Sequence, residues 1–115
     1  MILVIGGLAT GKREYVKKTY GYTDSDMADA TLDGHPVLYN LQDLVKTVPD
    51  ESMALLPELL NKAVVICNEV GSGLVPVERT EREEREAAGR LCIALAEQAE
   101  KVVRICCGIP QIIKE

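Results

Sequence analysis

Three short, largely apolar runs stand out along this chain. They are rich in β-branched residues and occupy positions 2–5, 63–67 and 102–107. Continuous runs of this length are typical of strands that are covered on both faces, as in a parallel sheet. We therefore predict three buried, parallel strands at these positions.

Between these runs, apolar residues recur at helical spacing. The spacing predicts helices over 12–19, 41–48, 53–60 and 79–99. In the last of them, Ala88, Leu91, Leu95 and Ala99 form the apolar stripe. Strands that alternate with helices indicate an α/β fold with helices on both faces of the sheet.

Two weaker segments complete the predicted sheet. Residues 37–39 form a short apolar run, and residues 111–114 are expected at an edge because Pro110 lacks the N–H that a central strand needs. The polar segment 21–34 has neither strand nor helix period, and it predicts a loop of the kind that often carries function. The sequence thus predicts one domain over 1–115, with a mostly parallel sheet of about four to five strands.

Charge and composition exclude several classes of partner. The 115 residues include 18 acidic and 13 basic side chains, a net charge of −5, without a basic stripe. Such a chain is poorly suited to nucleic acid or anionic lipid. No apolar run approaches the ~20 residues of a membrane span, and the start lacks the basic flank of a signal peptide. We therefore expect a cytoplasmic protein that binds neither nucleic acid nor membrane.

The cysteines fit the same compartment. All four lie in apolar surroundings and none shows CxxC spacing: Cys67, Cys92, Cys106 and Cys107. Buried free thiols are a simpler explanation than a metal or redox site. Free thiols are usual in a reducing cytosol.

The residues after the first strand match the phosphate-loop pattern GxxxxGK. They are Gly6, Gly7, Leu8, Ala9, Thr10, Gly11 and Lys12, and they lead directly into a predicted helix. Inward-facing N–H groups, the helix N-terminus and the lysine ammonium together attract an anion. The alternative is a plain glycine turn with a surface lysine. We favour the first interpretation and predict that residues 6–13 contact a nucleotide's phosphates.

Arg13 stands where this pattern has Ser or Thr, whose hydroxyl helps to hold Mg²⁺. A guanidinium cannot coordinate a cation. Arg13 either pairs with a phosphate oxygen directly or extends into solvent from the first helical turn. The first alternative predicts nucleotide binding that depends only weakly on Mg²⁺, and the sequence leaves both open.

A second candidate for metal binding is Glu69, which follows the second apolar run. A carboxylate at the tip of a strand beside a phosphate loop commonly holds a nucleotide's Mg²⁺, directly or through water. The alternative is a turn cap ahead of two glycines. Lys12 and Glu69 are therefore the candidate catalytic residues. His35 is the chain's only histidine, and a lone loop histidine is more often structural than catalytic.

The sequence resembles the adenosylcobinamide kinase/adenosylcobinamide-phosphate guanylyltransferase family. The first twelve residues are similar to the start of family members, and residues 65–76, Val-Ile-Cys-Asn-Glu-Val-Gly-Ser-Gly-Leu-Val-Pro, are similar to the family's most characteristic internal segment. The likeness continues into the ending at 108–114, whereas the middle of the chain matches poorly. The resemblance implies a P-loop fold, ATP or GTP with Mg²⁺, a corrinoid substrate and a homo-oligomer.

For complete family members, the resemblance also implies two reactions: phosphorylation of adenosylcobinamide, then GMP transfer from GTP through a guanylylated histidine. Three departures bear on this. Arg13 replaces the hydroxyl residue; residues 28–32 hold no histidine, so that His35 is displaced; and the family's extra carboxylate-ended strand has no counterpart before 63–67.

Two hypotheses remain after these departures. The chain is either a phosphoryl-transfer enzyme or a catalytically impaired relative that binds nucleotide or corrinoid, or assembles with a complete enzyme. The sequence leaves the substrate, the preference between ATP and GTP and the oligomeric state open.

Overall fold

The computed structural model describes residues 1–69 and 78–115. Within these ranges the chain forms one sheet of six strands. The strands are β1 (Ile2–Gly6), β2 (Met27–Asp29), β3 (Val37–Tyr39), β4 (Val64–Asn68), β5 (Lys101–Cys106) and β6 (Ile109–Lys114). Their order is β2-β3-β4-β1-β5-β6, with β1 between β4 and β5. The first five strands are parallel, and β6 runs antiparallel to β5.

The helices cover both faces of this sheet. They are α1 (Lys12–Tyr20), α2 (Leu41–Thr47), α3 (Leu56–Leu60) and α4 (Arg79–Gln98), with 3₁₀ turns at Asp24–Asp26 and Pro49–Leu55. The predicted α/β class, mostly parallel sheet and two-sided helix cover are confirmed. The helix predicted over 53–60 is instead part 3₁₀ and part α-helix.

Successive residues of the central strands face opposite cores, as the two-residue period of a strand requires. Leu3 packs in the core that also holds Leu91 of α4, whereas Val4 packs in the core that holds Val16 of α1. The buried side chains of both cores are mainly aliphatic, and four partly buried tyrosines pack against the second core. The sequences of the three central strands are therefore continuous apolar runs, because each strand is buried on both faces.

Two further parts of the structure depart from the sequence predictions. The segment 21–34, expected to be a loop, contains β2, whose Met27 and Ala28 are buried. A strand of three residues is too short to display a period. Cys106 and Cys107, expected to be buried, are exposed because Cys106 ends β5 and Cys107 lies in the turn to the edge strand β6.

Within residues 1–69 and 78–115, no helix is long and apolar enough to cross a bilayer.

Candidate functional site

The loop between β1 and α1 lies at the carboxyl edge of the parallel strands, where open α/β sheets bind ligands. Gly6 is required there. A Cβ on Gly6 would lie 2.6 Å from the carbonyl oxygen of Ile105 and 2.7 Å from Thr10 Oγ1. Gly11, which precedes α1, has a φ of 90°, a left-handed value that favours glycine. The glycine spacing found in the sequence therefore reflects a loop packed closely against β5.

The turn between β5 and β6 supports this loop from behind. The Gly108 N–H donates to the Thr10 carbonyl at 2.9 Å, and a Cβ on Gly11 would lie 3.6 Å from the Gly108 Cα. Cys107 and Gly108 have φ values of 51° and 76°, typical of a two-residue hairpin turn of type I′. Sequence reasoning missed this support, for which the only local signal is the glycine at 108.

Lys12 lies inside the loop rather than on the surface. Lys12 is 7% exposed, and its Nζ donates a hydrogen bond to the Gly7 carbonyl at 2.5 Å. Burial lowers the pKa of Lys12, while the nearby Cys67 and Glu69 act in the opposite direction. The ammonium is thus directed back into the loop, and a small cavity of about 180 Å³ lies beside it, lined by Gly11, Lys12, Arg13 and Glu14.

In the structure, the Arg13 side chain contacts Asp24 and Tyr39 rather than extending freely into solvent, and its pairing with a phosphate oxygen stays a prediction. Its Nη2 lies 3.1 Å from Asp24 Oδ1, and its guanidinium carbon lies 4.3 Å from the centre of the Tyr39 ring. The same Asp24 oxygen lies 2.5 Å from Lys17 Nζ. Lys17 first and Arg13 second hold the pKa of Asp24 below its usual value. The guanidinium therefore connects α1 with the segment before β2 and with the end of β3.

Glu69 lies at the tip of β4, beside the end of β1. Its N–H donates to the Gly6 carbonyl at 2.7 Å, which extends the parallel pairing of the two strands by one residue. Its carboxylate Oε1 lies 2.9 Å from Arg104 Nε of β5. Arg104 was not predicted as a site residue, although an arginine within an otherwise apolar strand is a signal that could have indicated one.

The side chains near the loop can be compared with those that hold a Mg²⁺ ion in nucleotide sites. In the described part of the chain, no group of three or more His, Cys, Asp or Glu is arranged to hold a metal. Mg²⁺ in nucleotide sites usually keeps several waters and binds phosphate oxygens with only one or two carboxylates. Glu69 fits the role of that single carboxylate, provided that its ion pair with Arg104 leaves an oxygen free.

His35 lies at the amino ends of the parallel strands, opposite the glycine loop at their carboxyl ends. It precedes β3, whose Val37 pairs with Val64, which in turn pairs with Ile2 at the start of β1. A strand of the length of β1 spans about 16 Å. His35 is therefore separated from the phosphate loop of its own chain by the whole central strand, and the structure does not bring it together with Lys12 and Glu69.

The surroundings of His35 are ordered by local contacts. His35 Nδ1 lies 2.6 Å from Asp33 Oδ1, and Lys62 Nζ donates to the carbonyls of Asp33 and His35. The backbone N–H and the ring of His35 lower the pKa of Asp33. A cavity of about 340 Å³ lies between this loop and residues Glu58, Asn61 and Lys62. These contacts favour the structural interpretation of His35.

The mostly parallel sheet, whose central strand β1 leads through a glycine loop into helix α1, is a P-loop-like α/β fold. The family model for cobinamide kinase / cobinamide phosphate guanyltransferase matches residues 25–113. This chain belongs to that family, which supplies kinase and guanylyltransferase activities in cobalamin biosynthesis. A search of curated proteins found no match.

The matched range adds to the resemblance described above. It includes the middle of the chain, where the likeness is weakest, and it begins after the glycine loop. Residues 70–76 of the most characteristic segment lie outside the described residues.

Proposed function

We propose that this chain binds the phosphates of ATP or GTP in the loop of residues 6–13. The observation that carries the proposal is the position of Lys12, whose ammonium is buried inside a glycine loop and bonded to the Gly7 carbonyl. A phosphate oxygen is negatively charged, so it attracts the Lys12 ammonium more strongly than the neutral Gly7 carbonyl does. Backbone N–H groups of residues 7–12 would hold the remaining oxygens.

If the chain turns over, the reaction that these residues support is phosphoryl transfer from the nucleotide to a corrinoid. Lys12 would neutralise the β- and γ-phosphates, and the loop amides would fix their orientation for in-line transfer. Mg²⁺, when bound, would neutralise charge that develops between these phosphates. Glu69 would orient a water of that ion, and Arg104 would in turn position the Glu69 carboxylate.

A second candidate function is that of a catalytically impaired relative that binds nucleotide or corrinoid, or assembles with a complete enzyme. Three observations favour it. Arg13 stands in place of the hydroxyl residue, the Glu69 carboxylate is already paired with Arg104, and His35 lies at the other edge of the sheet. Steady-state turnover of nucleotide with a corrinoid acceptor distinguishes the two functions, because only the first produces a phosphorylated corrinoid.

We also propose a homo-oligomer in the cytoplasm. The edge strand β6 carries exposed apolar side chains, including Ile109, Ile112 and Ile113, and its outer edge is not paired within the described chain. Exposed apolar strands of this kind are suited to association. The excess of acidic residues supports the expectation that neither nucleic acid nor anionic membrane is a partner.

Replacing Lys12 with alanine is expected to weaken triphosphate binding by about tenfold or more. The reason is the loss of a charge-assisted contact worth roughly 1.5–3 kcal/mol. Calorimetric titration with ATP and with GTP, each in Mg²⁺ and in EDTA, measures the effect and the base preference together. Lys18→Ala is the matched control, because Lys18 is an exposed lysine of the same helix.

Equal affinities of wild type and Lys12→Ala would contradict the proposal. The EDTA arm tests the metal separately. Wild-type affinity is expected to fall only modestly in EDTA if Arg13 supplies charge to the phosphates, whereas a collapse would assign the main role to Mg²⁺ and Glu69.

We expect no guanylylated enzyme to form in this chain. The only histidine lies across the sheet from the loop that would hold GTP, and its Nδ1 is engaged by Asp33. Incubation with GTP labelled in the α-phosphate, followed by denaturing electrophoresis, should leave the chain unlabelled. A label that persists in wild type and disappears in His35→Ala would show that this expectation is wrong.

A further inference from the structure

We infer that Asp24 and Tyr39 are positioning residues that hold the Arg13 guanidinium outside the phosphate loop until a triphosphate recruits it. The inference rests on the proposed nucleotide binding and adds two residues to it. Arg13 directly follows Lys12, and both line the cavity beside the loop. In the structure, however, the guanidinium is paired with Asp24 at 3.1 Å and stacked at 4.3 Å on Tyr39.

Release of Arg13 from this position costs little free energy. The ion pair with Asp24 is solvent-exposed, and exposed pairs and exposed cation–π contacts are both weak. Asp24 also has a second cation, Lys17, whose Nζ lies 2.5 Å from the same oxygen. When Arg13 leaves, Asp24 therefore keeps a counter-ion, and no unpaired carboxylate results.

A triphosphate is a stronger partner for the same side chain. A guanidinium matches the geometry of phosphate oxygens and binds them with two parallel hydrogen bonds. The competition depends on ligand charge, so the contribution of Arg13 should be larger for a nucleoside triphosphate than for a monophosphate. The Asp24–Arg13–Tyr39 contact thus acts as a selector for highly charged ligands.

The test is a double-mutant cycle on ATP affinity in EDTA. Removal of the competing carboxylate by Asp24→Asn should tighten ATP binding by about two- to fivefold, as expected for loss of one exposed ion pair. Arg13→Gln should weaken binding, and Asp24→Asn should have no effect in the Arg13→Gln background. AMP should show a smaller change in each case.

Glu14→Gln is the matched control for general charge. It removes one negative charge from the same helix, next to the same Lys17, whose Nζ lies 3.6 Å from Glu14 Oε1, whereas the ion pair of Arg13 is with Asp24. Its effect on ATP affinity should therefore be the same with and without Arg13. Tyr39→Leu is a second variant, which keeps the apolar packing and loses the stacking on Arg13. Like Asp24→Asn, it should tighten ATP binding.

A direct readout is the NMR signal of the Arg13 Nε–H group, which should shift when ATP is added and should sit near its released position in Asp24→Asn. An effect of Asp24→Asn that persists undiminished in the Arg13→Gln background would overturn the inference while nucleotide binding stands. Absence of any ATP or GTP binding by wild type, in Mg²⁺ or EDTA, would instead refute the proposed function itself.

Discussion

Gly6→Ala is expected to lower both the stability and the nucleotide affinity of this protein. The new Cβ would lie 2.6 Å from the Ile105 carbonyl oxygen, a backbone atom of the neighbouring strand that has no side-chain freedom to move away. Overpacking of this kind costs about 1–3 kcal/mol. The shift needed to relieve it moves the start of the phosphate loop, and the loss of one charge-assisted bond there reduces affinity by roughly tenfold or more.

Chemical denaturation and ATP titration measure the two effects of Gly6→Ala. Gly34→Ala is the control, since nothing lies within 4 Å of the Cβ that it would add and the residue is far from the loop. It should leave affinity unchanged and stability unchanged or slightly higher, because alanine restricts the unfolded chain. For stability alone, Gly7→Ala is a closer comparison, with its nearest contact at an ordinary 3.6 Å. Equal behaviour of Gly6→Ala and Gly34→Ala would contradict the packing described here.

Leu91→Ala is expected to reduce the free energy of unfolding by about 2–5 kcal/mol, the usual cost of emptying a fully buried leucine site. Leu91 is 0% exposed, in the core between α4 and the sheet. Ile93 lies two residues further along the same helix and is 62% exposed. Ile93→Ala should change stability by less than about 0.5 kcal/mol.

Urea unfolding followed by far-UV circular dichroism compares the two helix variants directly. Comparable losses in Leu91→Ala and Ile93→Ala would mean that α4 does not pack with the face assigned to it. Since α4 has 20 residues and the other two α-helices of that layer have 7 and 5, the comparison tests the main element of the layer.

The parts of the fold that were predictable are those whose signals are local. β1 and β4 are continuous apolar runs, and α4 has a helical stripe, because each element faces one type of environment along its length. The glycine loop was predictable for a similar reason, since its spacing and both of its flanking elements lie within a dozen residues. β2 was missed because it has only three residues, of which Met27 and Ala28 are buried and Asp29 is exposed, too few to show a period.

The electrostatics of the site were less predictable because they join distant positions. Arg13 pairs with Asp24 and stacks on Tyr39, and Glu69 pairs with Arg104 across the end of β1. No periodicity encodes these partners; they follow from strand order. The same strand order places His35 at the amino edge of the sheet, which its position in the sequence did not reveal.

The hydrogen bond from Gly108 to Thr10 also has a consequence for the order of folding. It joins Thr10, in the loop after β1, to Gly108, in the turn after β5, so the loop depends on long-range contacts, which form slowly during folding. Gly6 is packed against Ile105 in the same way. A nascent chain that has completed β1 and α1 therefore has the glycine sequence but not the formed loop. The proposed nucleotide binding can therefore stabilise this protein only after β5 and the turn that follows it have folded.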